Sequence, residues 1–197
     1  MKNTKDYAVR ATHCSHESSL DEIYHKLKEI TAPLSRSWGK IERAKRVGIK
    51  VNMQFRTQSI RYIGGRRQEL VDDDVLRASL RLLRERTDAE LFALDTSTAP
   101  PGQRPGEDFN TKPILDEYGV HYVEAGDPPL ERYKVPGGGL MFSEYQLSSA
   151  LGEADAFVSI AKMKNHGFMG ITLCLKNLFG LPPIPPVSYT HLRAHET

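Results

Sequence analysis

The sequence contains little cysteine. Cys14 and Cys174 are its only two cysteines among 197 residues, and they lie far apart and outside any C-x-x-C pair. This number and spacing exclude a disulfide framework, and they exclude a zinc or iron–sulfur site made by the cysteines of this chain alone. We therefore expect both cysteines to be buried or incidental, and the sequence identifies no cofactor.

An excess of charge of one sign is also lacking. The chain has 27 Lys and Arg against 25 Asp and Glu, a formal net charge of +2, which argues against nucleic acid as a partner. The first ten residues lack the apolar core of a signal peptide, and no run approaches the roughly 20 apolar residues of a membrane span. We therefore expect a cytoplasmic protein with no membrane partner.

What the chain does contain is an alternation of short apolar runs and amphipathic segments. The runs predict strands at 47–51, 90–94, 120–124 and 156–161, a weak strand at 7–11 and an edge strand at 131–135. The amphipathic segments predict helices at 20–30, 72–86, 111–119, 143–151 and 168–179, and a loop or short irregular helix at 35–46. This order predicts an α/β fold, a mostly parallel sheet with helices on both faces.

Two helix starts have local signals. Ser19 and Glu22 have the S-x-x-E spacing of a capping box. Asp72 to Asp74 open the helix at 72–86, and because acidic residues in a first helical turn complement the helix dipole, we prefer this interpretation to a metal site. The inward face of that helix is predicted to hold Val75, Leu76, Leu80 and Leu83.

Polar residues follow each predicted strand. These are Lys50 and Asn52, then Asp95, Ser97 and Thr98, then Glu124 and Asp127, and finally Lys162, Lys164 and His166. In open parallel sheets, ligands bind beyond the carboxyl ends of the strands. Each lysine alone can be a solvated strand end, but together they predict an anion site at this edge.

The stretch from 155 to 180 carries the densest set of these residues. We predict that phosphate or carboxylate is bound by polar groups of this stretch and of the first strand end, namely Lys50, Asn52, Lys162, Thr172, Lys176 and Asn177. His166 is a candidate general acid or base, and Lys164 a candidate base or nucleophile if neighbouring cations lower its pKa. Asp95 is a candidate to orient either group.

This stretch resembles the signature of the family of domains of unknown function 362 (DUF362), which has K-x-K-x-H followed by T-x-x-x-K-N-x-x-G. The matching residues are Lys162, Lys164, His166, Thr172, Lys176, Asn177 and Gly180. Lys50 to Asn52 is similar to an earlier K-P-N feature of the family, with Val51 replacing the proline. The resemblance covers about 7–183 and implies an α/β domain of unsettled biochemistry. Some family members add ferredoxin-type iron–sulfur modules, but this chain lacks the cysteines for one.

The last eleven residues, VSYTHLRAHET at 187–197, look like a translated adapter sequence. We therefore expect a single α/β domain at 1–186, the N-terminal part of a longer protein, followed by a non-native tail. His191 and His195 belong to that tail and are not interpreted as metal ligands. A domain that stops soon after the signature is expected to be marginally stable or prone to aggregation.

Three classes of function remain open from the sequence. The first is a protein that binds or acts on a small anionic molecule at the strand ends, which we favour without deciding whether it is an enzyme. The second is an iron–sulfur-linked redox accessory protein whose cluster module lies outside this chain. The third is a non-catalytic binding module that uses the basic segments at 36–46 and 56–67.

Overall fold

The computed structural model describes residues 9–53, 60–96, 111–167 and 170–183. The helices are α1 (Leu20–Thr31), α2 (Ser35–Glu42), α3 (Asp73–Arg86), α4 (Lys112–Glu117) and α5 (Cys174–Asn177). The strands are β1 (Arg46–Val51), β2 (Tyr62–Ile63), β3 (Arg66–Arg67), β4 (Glu90–Asp95), β5 (Val120–Glu124), β6 (Leu130–Lys134), β7 (Glu144–Ser148), β8 (Ala156–Ile160), β9 (Lys164–His166) and β10 (Gly170–Thr172). Short 3-10 turns follow β7 at Ser149–Leu151 and α5 at Leu178–Gly180.

A four-stranded parallel sheet in the order β5-β4-β1-β8 organises the fold. In its register Val47 of β1 lies between Leu91 of β4 and Ala156 of β8. Strands covered on both faces are mostly apolar, and the two central strands β1 and β4 are buried almost throughout. The predicted α/β class, with a parallel sheet and helices on both sides, is confirmed.

Successive side chains of β4 point to opposite faces of the sheet and enter two different cores. Leu91 and Ala93 belong to the larger core, which also holds buried residues of α1, α3 and α4. Phe92 and Leu94 belong to a smaller core on the other face, packed with Leu181 and the partly buried Leu178. The C-terminal part of the described chain therefore covers one face of the sheet.

Local signals explain the two long helices. At α1, Ser19 accepts a hydrogen bond from the Glu22 amide while the Glu22 carboxylate accepts one from the Ser19 amide, so the predicted capping box is confirmed. At α3, Asp72 is the N-cap and accepts from the amides of Asp74 and Val75. The predicted inward face is correct for Leu76, Leu80 and Leu83 but wrong for Val75, which is 37% exposed.

Two predicted helices are wrong. The segment 143–151 forms strand β7, which pairs with β6, and only its end turns into a 3-10 helix. In the segment 168–179, residues 170–172 form β10, which pairs with β9, and the helical part is confined to α5 and the turn after it. In both cases the partner strand supplies hydrogen bonds that an apolar pattern alone does not reveal.

Other expectations had mixed outcomes. Residues 9–11 are not in a strand, and both cysteines are exposed. The strand predicted at 131–135 is found as β6, which pairs with β7 in a separate two-stranded sheet. The segment 35–46 contains helix α2. Ser97, Thr98 and the tail at 187–197 lie outside the described residues. None of the helices in the described part of the chain is long and apolar enough to span a membrane.

Candidate functional site

A buried ion pair joins the carboxyl ends of β1 and β4. Lys50 Nζ lies 2.7 Å from Asp95 Oδ1, and Lys50 and Asp95 are 1% and 6% exposed. Asp95 also accepts hydrogen bonds from the amides of Met53, at 3.1 Å, and Thr96, at 3.0 Å. Burial lowers the pKa of Lys50, and the attraction of Asp95 opposes that shift. The ion pair joins the carboxyl ends of β1 and β4 to each other.

Asn177 and Gly180 lie directly over this pair. The Asn177 side chain accepts from Lys50 Nζ at 3.2 Å and donates to the Lys50 carbonyl at 3.0 Å, and it also donates to Ser159 Oγ at 3.1 Å. A Cβ atom at position 180 would lie 3.0 Å from Lys50 Nζ and still closer to Asp95 Oδ1. The N-x-x-G part of the signature therefore holds the C-terminal segment against the ends of the sheet.

Asn52 connects the loop after β3 with the chain that leaves β8. Its side-chain amide donates to the Glu69 carbonyl at 2.9 Å and accepts from the Lys162 amide at 3.1 Å. Both ends of the Asn52 amide are thereby used inside the protein. Asn52 therefore fixes the backbone of Lys162, and this hydrogen bond does not involve the Lys162 side chain.

Lys164, Thr172 and Lys176 form a second group, which we call the cationic recess. Lys164 of β9 pairs directly with Thr172 of β10, so their side chains lie on the same face of the hairpin. Burial lowers the pKa of Lys164, Lys176 lowers it further, and Glu69 opposes both effects. Lys176 Nζ also lies 4.2 Å from the centroid of the Phe179 ring. The recess therefore places two ammonium groups near each other.

The hydroxyl of Thr172 adds an unusual feature to the recess. Thr172 is only 5% exposed, and its Oγ1 atom has no hydrogen-bond partner among the described residues. A buried hydroxyl without a partner costs about 1–3 kcal/mol relative to a satisfied one. The folded hairpin therefore leaves this hydroxyl as an unsatisfied polar group among the described residues.

The remaining predicted residues lie at the same edge. His166 ends β9 opposite Gly170, two residues beyond Lys164 and hence on the same side of the strand. Glu124, at the end of β5, accepts a hydrogen bond from the Tyr122 hydroxyl at 3.0 Å. Within the described ranges, no group of three or more His, Cys, Asp or Glu residues is arranged to hold a metal ion.

Two contributors were not identified from the sequence. Ser159 accepts from Asn177, and its only signal is a hydroxyl inside an otherwise apolar strand. The charge of Glu69 raises the pKa of Lys164, and Glu69 lies in a segment for which the sequence pattern predicts neither helix nor strand. Neither residue follows a predicted strand, which is why the strand-end argument passes over both.

These features define an α/β protein with lysines and amides concentrated at the carboxyl edge of a parallel sheet. The chain belongs to the family described as Domain of unknown function (DUF362), whose model matches residues 47–197. The match begins within β1 and includes both parts of the signature, which confirms the resemblance. No curated protein and no solved structure matches the chain.

Proposed function

We propose that the protein binds or acts on a small anionic molecule at the carboxyl edge of the sheet, in the cationic recess of Lys164, Thr172 and Lys176. The observation that carries the proposal is the pairing of two neighbouring ammonium groups with a buried, unpartnered hydroxyl. A phosphate or carboxylate group supplies negative charge to the lysines and a hydrogen-bond acceptor to Thr172 Oγ1. Charge-assisted hydrogen bonds of this kind are about twice as strong as neutral ones.

The proposed chemistry depends on Lys164. Because the pKa of Lys164 is lowered, a larger fraction of this amine is neutral than of an ordinary lysine, and a neutral amine is a base or a nucleophile. His166, on the same side of β9, is the proposed second group for proton transfer. Lys50, Asp95, Asn52 and Asn177 act in this proposal as positioning residues, through the buried contacts described above.

The pairing of other basic residues supports a small ligand over nucleic acid. Arg66 contacts both Asp72 and Asp74 at 2.8 Å, and Arg67 contacts Asp73 at 3.0 Å. These arginines lie in one of the two basic segments that a nucleic-acid module would use. Since their charge is already balanced by carboxylates, they contribute little attraction for a polyanion.

The test is calorimetric titration of the protein with inorganic phosphate and, separately, citrate. We expect Lys164→Gln and Lys176→Gln each to weaken binding about tenfold or more, because each removes a charge-assisted contact. Thr172→Val is expected to weaken it less. Lys134→Gln is the matched control, since Lys134 is an exposed strand lysine. Absence of binding by both probes, or equal affinities in all four variants, contradicts the proposal.

A further inference from the structure

A cavity of about 490 Å³ is lined by residues of α1, α3 and the loop after β3. Its apolar walls are Ile23 of α1, Ile63 of β2 and Val75 of α3, and Lys162 lies among its lining residues. Lys164 is not among the described residues that line it. Small-molecule sites commonly have volumes of about 300–1,000 Å³, so this cavity is large enough for a ligand with a ring or a branched chain.

Two of the three apolar wall residues, Ile63 and Val75, are exposed, whereas Ile23 is buried. Val75 lies on the inward-facing side of α3 by sequence pattern, yet it is 37% exposed, and Ile63 is 69% exposed. The opposite wall is held firmly by Arg66, whose side chain donates to the carbonyls of His16 at 2.8 Å and Ser18 at 2.6 Å. The cavity therefore presents apolar surface between fixed walls.

Lys162 is the cation that remains available in this cavity. The Arg66 guanidinium is engaged by Asp72, Asp74 and two carbonyls. Asp72, the acidic residue of the lining, is engaged in turn by Arg66 and by the amides at the start of α3. Among the described residues, no hydrogen bond or ion pair is made by the Lys162 ammonium, while its backbone is fixed by Asn52.

We propose that this cavity is a second binding site, specific for an organic anion with an apolar body, such as an aromatic or branched aliphatic carboxylate. The apolar body packs against Ile23, Ile63 and Val75, and the carboxylate pairs with Lys162. An apolar pocket with one convergent polar group is the usual construction of a site for such molecules. The inference is separate from the function proposed for the cationic recess, and neither requires the other.

The proposal is tested by calorimetric titration with acetate, benzoate and 2-naphthoate, and with the uncharged 2-naphthamide. We expect 2-naphthoate to bind at least tenfold more tightly than acetate, because only the larger anion fills the apolar walls. Lys162→Gln is expected to reduce the affinity for 2-naphthoate to that for 2-naphthamide. Ile63→Ser is expected to weaken both naphthyl probes by a similar factor.

The controls separate this site from the cationic recess and from loss of folding. Ile63 is exposed, so its replacement leaves the core intact, and circular dichroism checks each variant. Lys134→Gln and Leu140→Ser, both at exposed hairpin positions, are expected to leave every affinity unchanged. Equal affinities for acetate and 2-naphthoate overturn the proposal, as does unchanged 2-naphthoate binding in Lys162→Gln. Loss of 2-naphthoate binding in Lys164→Gln also overturns it, because the anion would then occupy the recess.

Discussion

At the scale of single residues, Gly180 lies where a side chain would collide with Asp95 and Lys50. The carboxylate beneath it cannot easily move, because Asp95 is held by Lys50 and by the amides of Met53 and Thr96. A side chain at position 180 must therefore displace the C-terminal segment. Gly180 is a packing residue on which the geometry of the site depends.

We expect Gly180→Ala to lower the free energy of unfolding by about 1–3 kcal/mol, the usual cost of forcing an extra carbon into a packed position. Gly167→Ala is the matched control, because a Cβ at position 167 would have no neighbour within 4 Å among the residues that the structure describes. Urea denaturation followed by circular dichroism gives both values. Equal midpoints for the two variants would show that the segment does not pack closely on the ion pair.

The lowered pKa of Lys164 has a consequence for stability. Between the folded pKa of Lys164 and its ordinary value, the unfolded chain binds more protons than the folded protein, so the contribution of Lys164 makes stability rise with pH across this window. Below the window, the charged ammonium is partly desolvated and close to Lys176, which is unfavourable. The charged form of Lys164 therefore lowers the free energy of unfolding below this window.

Lys164→Met is accordingly expected to be at least as stable as the parent near pH 7. The difference in unfolding free energy between Lys164→Met and the parent should shrink as the pH rises toward the ordinary pKa of lysine, because Lys164 of the folded parent is then neutral. Urea midpoints measured at about pH 7 and pH 10 check both statements, with Lys134→Met as the exposed control. A large loss of stability in Lys164→Met at pH 7 would refute this account.

At the scale of elements, α1 depends on its first turn. Ser19 and Glu22 satisfy amides that would otherwise lack partners, and α1 packs extensively on α3. We expect Ser19→Ala to reduce stability by about 0.5–2 kcal/mol. Ser37→Ala, at an exposed position within α2, should have almost no effect or a slightly stabilising one, since alanine favours helix. Thermal unfolding distinguishes the two, and similar shifts would argue against the cap.

The elements that could be predicted from sequence are those with local or periodic signals. β1, β4, β5 and β8 are short, mostly apolar segments, and α1 and α3 begin with their own caps. The elements that were missed depend on distant partners. Ser148 pairs with Leu130, and Thr172 pairs with Lys164 in a hairpin whose strand β10 begins at Gly170, which has φ 71°. Pairing of this kind is decided by tertiary contacts, which a single strand pattern does not contain.

The residues of the candidate site likewise differ in whether a local sequence signal identifies them or whether their placement depends on other parts of the chain. Lys50 and Asp95 were identifiable because each stands at the end of an apolar strand. Their burial could not be foreseen, because it depends on Asn177 and Gly180 covering them from a segment over a hundred positions away from Lys50. Thr172 was identifiable from the signature, but its unpartnered hydroxyl is visible only once β9 and β10 are paired.

At the scale of the whole molecule, the two faces of the sheet are covered unequally. The larger core contains buried residues from α1 through α4, whereas the smaller one has Phe92, Leu94, Ala125 and Leu181 as its buried members. The C-terminal segment completes the smaller core with Leu178 and Leu181 and also holds Asn177 over the ion pair. The site and the weaker half of the fold therefore depend on the same few residues.

One group of exposed apolar side chains lies near this weaker half. They include Phe157, Met163, Ile171, Leu173, Leu175 and Phe179. They accompany or follow β8, an outer strand of the described sheet. Exposed apolar surface beside an outer strand favours association between molecules. We therefore expect concentration-dependent self-association of the 197-residue chain, visible by light scattering.

Leu175→Lys is expected to reduce this association, because it places a charge at an 86% exposed position of the apolar group. Leu140→Lys is the matched comparison, since Leu140 is fully exposed on the tip between β6 and β7. A reduction with Leu175→Lys alone places the associating surface at the C-terminal segment. If only Leu140→Lys reduces light scattering, the hairpin tip is the associating surface and the argument from the weaker half fails.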